Sequence, residues 1–149
     1  MIVEAHVTIR GSRSAAWAAI TDIENAAALI SGIESIEVLE KPAHGLQGLR
    51  WRETRMLFGK PATAEKWITE VVDNESYTTR AEDRGFVFLT TTRISGDDAD
   101  LTLTGIHESR PQGAAARLMS IPMGLLFRGV VKKAVLQDLV DIKRAVERA

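Results

Sequence analysis

Trp51, Glu53 and Arg55 occupy alternate positions in a run of strand-forming residues, so in an extended chain all three project from one face. An indole, a carboxylate and a guanidinium side by side could hold and orient a small polar molecule. Glu53 could take a proton, and Arg55 could clamp an acidic or carbonyl oxygen. If the next strand pairs so that like faces meet, Glu65 and Trp67 join them, giving an aromatic wall over a charged floor. A register shift of one residue instead brings Lys66 opposite Glu53. On a solvated face the same residues would reduce to a cross-strand Arg55–Glu65 ion pair of little energy. Two tryptophans on a wet face would be unusual, which favours the cavity arrangement.

His107 shares strand parity with Leu101, Leu103 and Gly105, which points it toward the interior as a general base or ligand donor. The plain alternative is a solvated histidine near a strand end. Tyr77 opens another strand and adds a third proton-handling group beside His107 and Glu53. Met123 and Phe127, with Met119 and Leu126, cluster around Pro122. They suit either a core or the mouth of a pocket that accepts varied apolar ligands, because methionine adapts its shape.

Other chemistries find no residues. The chain has no cysteine, and its histidines, His6, His44 and His107, are scattered, so no metal site is expected. Gly45–Gly48 is too short for a phosphate loop and lacks its Lys-Ser/Thr. Ser12, Ser14 and Ser120 lack a nucleophile-elbow context. No cofactor is expected.

The elements that must position these groups follow from hydrophobic period. Val3, Ala5, Val7 and Ile9 alternate with polar residues, a half-buried strand ended by Gly11. Two short helices follow, over about residues 15–21 and 24–30, the first capped by Ser12 or Ser14 and the second stopped by Gly32. Strands are predicted over 33–39, 49–58, 61–72, 77–82, 86–94 and 101–108. Turns fall at Gly59-Lys60, Asp73-Asn74, Asp83-Arg84-Gly85 and Gly96-Asp97-Asp98. A long helix over 114–148 closes the chain. Pro122, Gly124 and Gly129 should kink its first part, leaving carbonyls free at a cavity mouth. Val131, Val135, Leu139, Ile142 and Val146 keep helical spacing, with Lys132, Lys133, Asp138, Lys143, Arg144 and Glu147 mostly outside.

At 149 residues the chain is one domain, 1–149. Lys+Arg 19 against Asp+Glu 20 gives a formal charge of −1, which disfavours nucleic acid as a partner. No apolar run approaches the length of a membrane span, so stable membrane insertion is not expected. The opening MIVEAHVTIR lacks the pattern of a signal peptide, and a cytoplasmic location is the expectation. A homodimer is compatible with all of this.

The order of these pieces resembles the START-related, Bet v 1-like (SRPBCC) superfamily, in particular its polyketide cyclase/dehydrase-like group. The likeness is carried by Ser14-Ala15-Ala16-Trp17 after the first strand and by Ile20-Thr21-Asp22-Ile23-Glu24-Asn25. It continues through Gly32 to Leu39, Gly48-Leu49-Arg50-Trp51-Arg52-Glu53-Thr54-Arg55, Phe58-Gly59-Lys60, Asp138-Leu139 and Ile142-Lys143. The resemblance implies an α+β helix-grip fold, a seven-stranded antiparallel sheet wrapped around a long C-terminal helix, with two short helices after strand 1. It also implies a small hydrophobic or aromatic ligand, lipid or polyketide-like, in a cavity between sheet and helix. Catalysis by His107 and Glu53 in a cyclase or dehydratase is the alternative, and a protein-interaction module is a third reading.

Overall fold

Alternation along seven segments and a long apolar helical stripe give one curved sheet closed by one helix. The structure, a computed structural model, describes residues 1–148 apart from the side chains of Met123 and Leu125. Its elements run β1 (Ile2–Ile9), α1 (Arg13–Thr21), a 3-10 turn (Ile23–Asn25), α2 (Ala26–Leu29), β2 (Ile33–Glu40), β3 (Arg50–Leu57), β4 (Lys60–Val72), β5 (Ser76–Asp83), β6 (Phe86–Asp97), β7 (Asp100–Pro111) and α3 (Ala114–Arg148). The strands form one sheet in the order β1-β7-β6-β5-β4-β3-β2, with every neighbouring pair antiparallel. The excursion through α1 and α2 carries the chain from β1 to the far edge, where β2 starts. The architecture is α+β.

Local chemistry explains the joints. Ser12 caps α1 through its side-chain oxygen, which accepts from the Ala15 amide at 3.1 Å. The Arg13 guanidinium donates to the carbonyls of Asn74, Ile94 and Gly96 and so ties the start of α1 to two sheet turns. At the far end of α1, the Tyr77 hydroxyl donates to the Ile20 carbonyl at 2.9 Å.

The core sits where the second half of α3 crosses β1 and β7. Ala5, Ile9, Ala16, Ile20, Ile94, Leu101 and Leu103 bury against Leu139, Ile142 and Val146. Gly105 permits the close approach: a Cβ there would stand 2.9 Å from Val135 Cγ1. A second cluster of Ile23, Leu49, Trp51 and Ile68 fills the β2–β4 end. The first part of α3 departs from this packing, because the helix turns by 79° between its Ala114–Pro122 and Leu126–Arg148 parts. Proline inside a helix forfeits an amide donor and clashes with the preceding turn, which accounts for the bend.

One turn differs from expectation, with consequences for the site. The β3–β4 hairpin turns at Phe58-Gly59, not at Gly59-Lys60, and Leu57 pairs with Lys60. Both turn residues have positive φ, 51° and 77°, as in a type I′ hairpin turn.

Candidate functional site: a two-chambered cavity

The hairpin register decides which side chains meet. A two-residue turn always sets odd positions opposite even ones, so Trp51 faces Lys66 and Glu53 faces Ala64. Trp51, Glu53, Arg55 and Lys66 therefore share the concave face. Glu65 and Trp67 lie on the convex face, contrary to the expected aromatic wall. There Glu65 pairs with Arg50 at 3.1 Å, and the Arg50 guanidinium covers the Trp67 ring 4.4 Å from its centroid. This cation–π cover lets an indole occupy the outer face, so exposure alone was a poor reason to turn Trp67 inward.

On the concave face four charges close on one another. Glu53, 6% exposed, accepts from Trp51 Nε1 at 3.3 Å, Arg55 Nε at 2.7 Å and Lys66 Nζ at 2.8 Å. Arg55 then reaches across to α3 and grips Asp138 with both terminal nitrogens, at 3.1 and 2.8 Å. Burial pushes the Glu53 carboxyl up, but the Lys66 and Arg55 charges and their hydrogen bonds outweigh it and hold its pKa at about 2. Burial likewise works against the Arg55 cation, and Asp138 and Glu53 more than restore it, leaving its pKa raised. Glu53 thus stays ionised with its oxygens occupied, which suits it to position Arg55 and Lys66 rather than to collect a proton. Gly32 packs directly on this pair, with the site of a Cβ 3.1 Å from Arg55 Nη1.

The quartet lies in the wall of an inner chamber of about 120 Å³ between the sheet, α1, α2 and α3. Its other polar groups are Tyr77, Thr79, Thr90 and Thr92, and Ile20, Ile23, Val135 and Leu139 are among its apolar ones. Burial pushes the Tyr77 phenol up to about 12, so it remains a neutral donor.

Thr90 also marks the border with an outer chamber. Its hydroxyl lies 3.1 Å from His107 Nδ1, and His107 lines a larger, more open cavity of about 560 Å³. Phe86, Phe88, Ile121, Phe127 and Val131 supply most of the apolar wall, with Arg128 at its edge. His107 stacks on Phe88, ring centres 5.9 Å apart. Burial, then the Lys66 and Arg55 charges, push the imidazole down to about 4, so it is neutral at ordinary pH. Phe127 lines this chamber. The Met123 side chain lies outside the described residues.

The structure thus brings Trp51, Glu53, Arg55 and Tyr77 to the inner chamber and His107 and Phe127 to the outer one, and separates Glu65 and Trp67 from both. Asp138 was missed by sequence reasoning, and Lys66 was met only as the register alternative; the odd–even rule for a two-residue hairpin selects it for the concave face. Asp138 stands three residues after Val135 and four before Ile142, inside the apolar stripe, and its charge alone suggested an outer position. Among the described residues no cluster of histidines and acids could hold a metal ion.

No protein-family model matches the chain, and no curated protein matches it in sequence. Solved structures do match in shape. A START superfamily protein from Mycobacterium smegmatis superposes with a TM-score of 0.81 at 13% identity, covering 99% of this chain and 97% of that one. The Zhui aromatase/cyclase from Streptomyces sp. R1128 gives 0.77 at 20% identity, covering 99% and 94%. This is the helix-grip fold. Ara h 8.0201 shares the helix grip too, with a TM-score of 0.76, 17% identity and coverage of 100% and 99%. At such identities the likeness is one of fold, and the side chains in the grip are this chain's own.

Proposed function

We propose that the protein binds a small hydrophobic or aromatic molecule carrying an acidic or carbonyl oxygen, with its apolar body in the outer chamber and its oxygen directed to the inner one. The observation that carries this reading is the polarity gradient. A phenylalanine-lined outer chamber adjoins, at the His107–Thr90 contact, a chamber holding the Lys66 ammonium, which donates one hydrogen bond, to Glu53, among the described residues. An ammonium has three N–H donors, so two remain for a ligand oxygen. Apolar burial supplies the affinity and the ammonium sets the orientation. The presence of a cyclase and a START superfamily protein on the same fold is compatible with lipid or polyketide-like ligands.

Titration with 2-naphthoate and with neutral 2-naphthamide tests this. Both should quench the fluorescence of Trp51. Lys66→Met should weaken naphthoate on the order of tenfold or more, the worth of a charge-assisted hydrogen bond between ions, and weaken the amide, whose carbonyl is uncharged, distinctly less. Absence of quenching by either, or equal loss of both, rejects the proposal.

One observation favours a second, catalytic reading. His107 lines the apolar chamber with its Nδ1 3.1 Å from the Thr90 hydroxyl, where the imidazole could exchange a proton with a carbon skeleton in cyclisation or dehydration. His107→Ala should then abolish cyclisation of a poly-β-ketone thioester while 2-naphthoate still binds. Unchanged turnover in that variant removes the reading.

A further inference from the structure

The first part of α3 and the tip of the β3–β4 hairpin present large apolar side chains to water. Leu118 is 77% exposed, Ile121 68%, Leu126 72% and Phe58 74%. The two elements meet, since Phe58 packs edge-on to Phe127 with ring centres 5.9 Å apart. Soluble monomers rarely leave so many large apolar groups together in water without a use for them.

The charge of these segments has one sign. Residues 114–137 contain Arg117, Arg128, Lys132 and Lys133 and no Asp or Glu, and residues 56–64 add Lys60 and no acid. All five side chains are exposed, and among the described residues none makes an ion pair. The chain as a whole carries −1, so this run of five cations without an acid is a local excess.

We propose that this face docks peripherally on an anionic lipid bilayer, with the apolar side chains entering the headgroup boundary and the cations meeting lipid phosphates. Exposed apolar groups on segments that carry only lysine and arginine match such an interface. A second copy of the chain would bring like charges together, which disfavours it as the occupant. Insertion across the bilayer is not implied, because the second half of α3 is held in the core by Leu139, Ile142 and Val146. Ile121, Phe127 and Arg128 also line the outer chamber, so docking sets the cavity mouth on the membrane. The proposal goes beyond ligand binding and stands without it.

The test is flotation of the full chain with vesicles of phosphatidylcholine alone and of phosphatidylcholine mixed with phosphatidylglycerol. The protein should float with the mixed vesicles, stay behind with the neutral ones, and be released by salt. Leu118→Ser/Ile121→Ser/Leu126→Ser and, separately, Lys132→Glu/Lys133→Glu should each lower partitioning on the order of tenfold or more, with circular dichroism unchanged. Equal flotation with both vesicles, or none, overturns the proposal. So does a wild-type dimer in light scattering that the serine variant converts to monomer, since the face would then be a contact between copies.

Discussion

The two halves of α3 are parts of one helix, yet different forces hold them. From Val135 onward the helix is anchored along its inner face. Leu139, Ile142 and Val146 enter the core, Asp138 is gripped by Arg55, and Asp141 accepts from the Ser31 amide at 2.9 Å and its hydroxyl at 2.7 Å. Before Leu126 the helix is bent by 79° from that direction and leaves Leu118, Met119 and Ile121 largely exposed. Identical secondary structure thus serves as a fastening at one end and as a wall of the cavity mouth at the other. Helical propensity does not distinguish them; the side chains on the facing strands do. The Gly105 gap admits the second half, whereas the rings of Phe86 and Phe88 line the open chamber beneath the first.

Four measurements would break or sharpen this contrast. Leu139→Asp should cost about 4 kcal/mol or more, because it buries an unpaired carboxylate, while Leu118→Asp should stay within about 0.5 kcal/mol. Equal thermal midpoints for the two would show that the halves are packed alike. Next in size is Glu53→Gln, which leaves the half-buried Lys66 ammonium without its carboxylate while Arg55 keeps Asp138, and should cost about 2 kcal/mol in urea denaturation.

That carboxylate also has a pH signature. Its folded pKa of about 2 lies below the ordinary 4.5, so its contribution is complete above pH 4.5 and is lost as the pH falls through 2. The glutamine variant should lack this acid-side loss. His107 acts in a higher window. Its folded value of about 4 lies below the ordinary 6.5, so the unfolded chain takes up the proton first and stability declines from pH 6.5 to 4. His107→Gln should flatten that slope; an unchanged slope would place the imidazole in contact with water. The smallest effect is expected of Lys143→Ala. Its ammonium contacts the Thr8 carbonyl and Glu147 near the surface, and its loss should cost about 1 kcal/mol or less.

Much of the fold was legible because period and punctuation agree. Val3, Ala5 and Ile9 alternate cleanly, and Asp83-Arg84-Gly85 marks its turn, with Arg84 and Gly85 both at positive φ. The site was legible only within single strands. Parity alone places Trp51, Glu53 and Arg55 on one face. Which residues oppose them depends on where the hairpin turns, and Phe58, a bulky residue in a left-handed conformation, gave no turn signal of its own. The inward aim of Asp138 was hidden for a related reason. A carboxylate in an apolar stripe reads as an irregularity until the arginine that meets it, 83 positions away, is known.

The closed quartet of Glu53, Arg55, Lys66 and Asp138 has a hereditary consequence. Its charges cancel, so replacing any one member by a neutral residue leaves an unmatched charge in the chamber wall, while replacing an opposed pair does not. Descendants of this sequence should therefore change these positions in compensated pairs, most readily Arg55 with Asp138, whose contact is direct and two-pronged. A lineage that keeps Arg55 after losing both Glu53 and Asp138 must have recruited a new acid from a neighbouring strand, and that substitution would reveal how the cavity was remodelled.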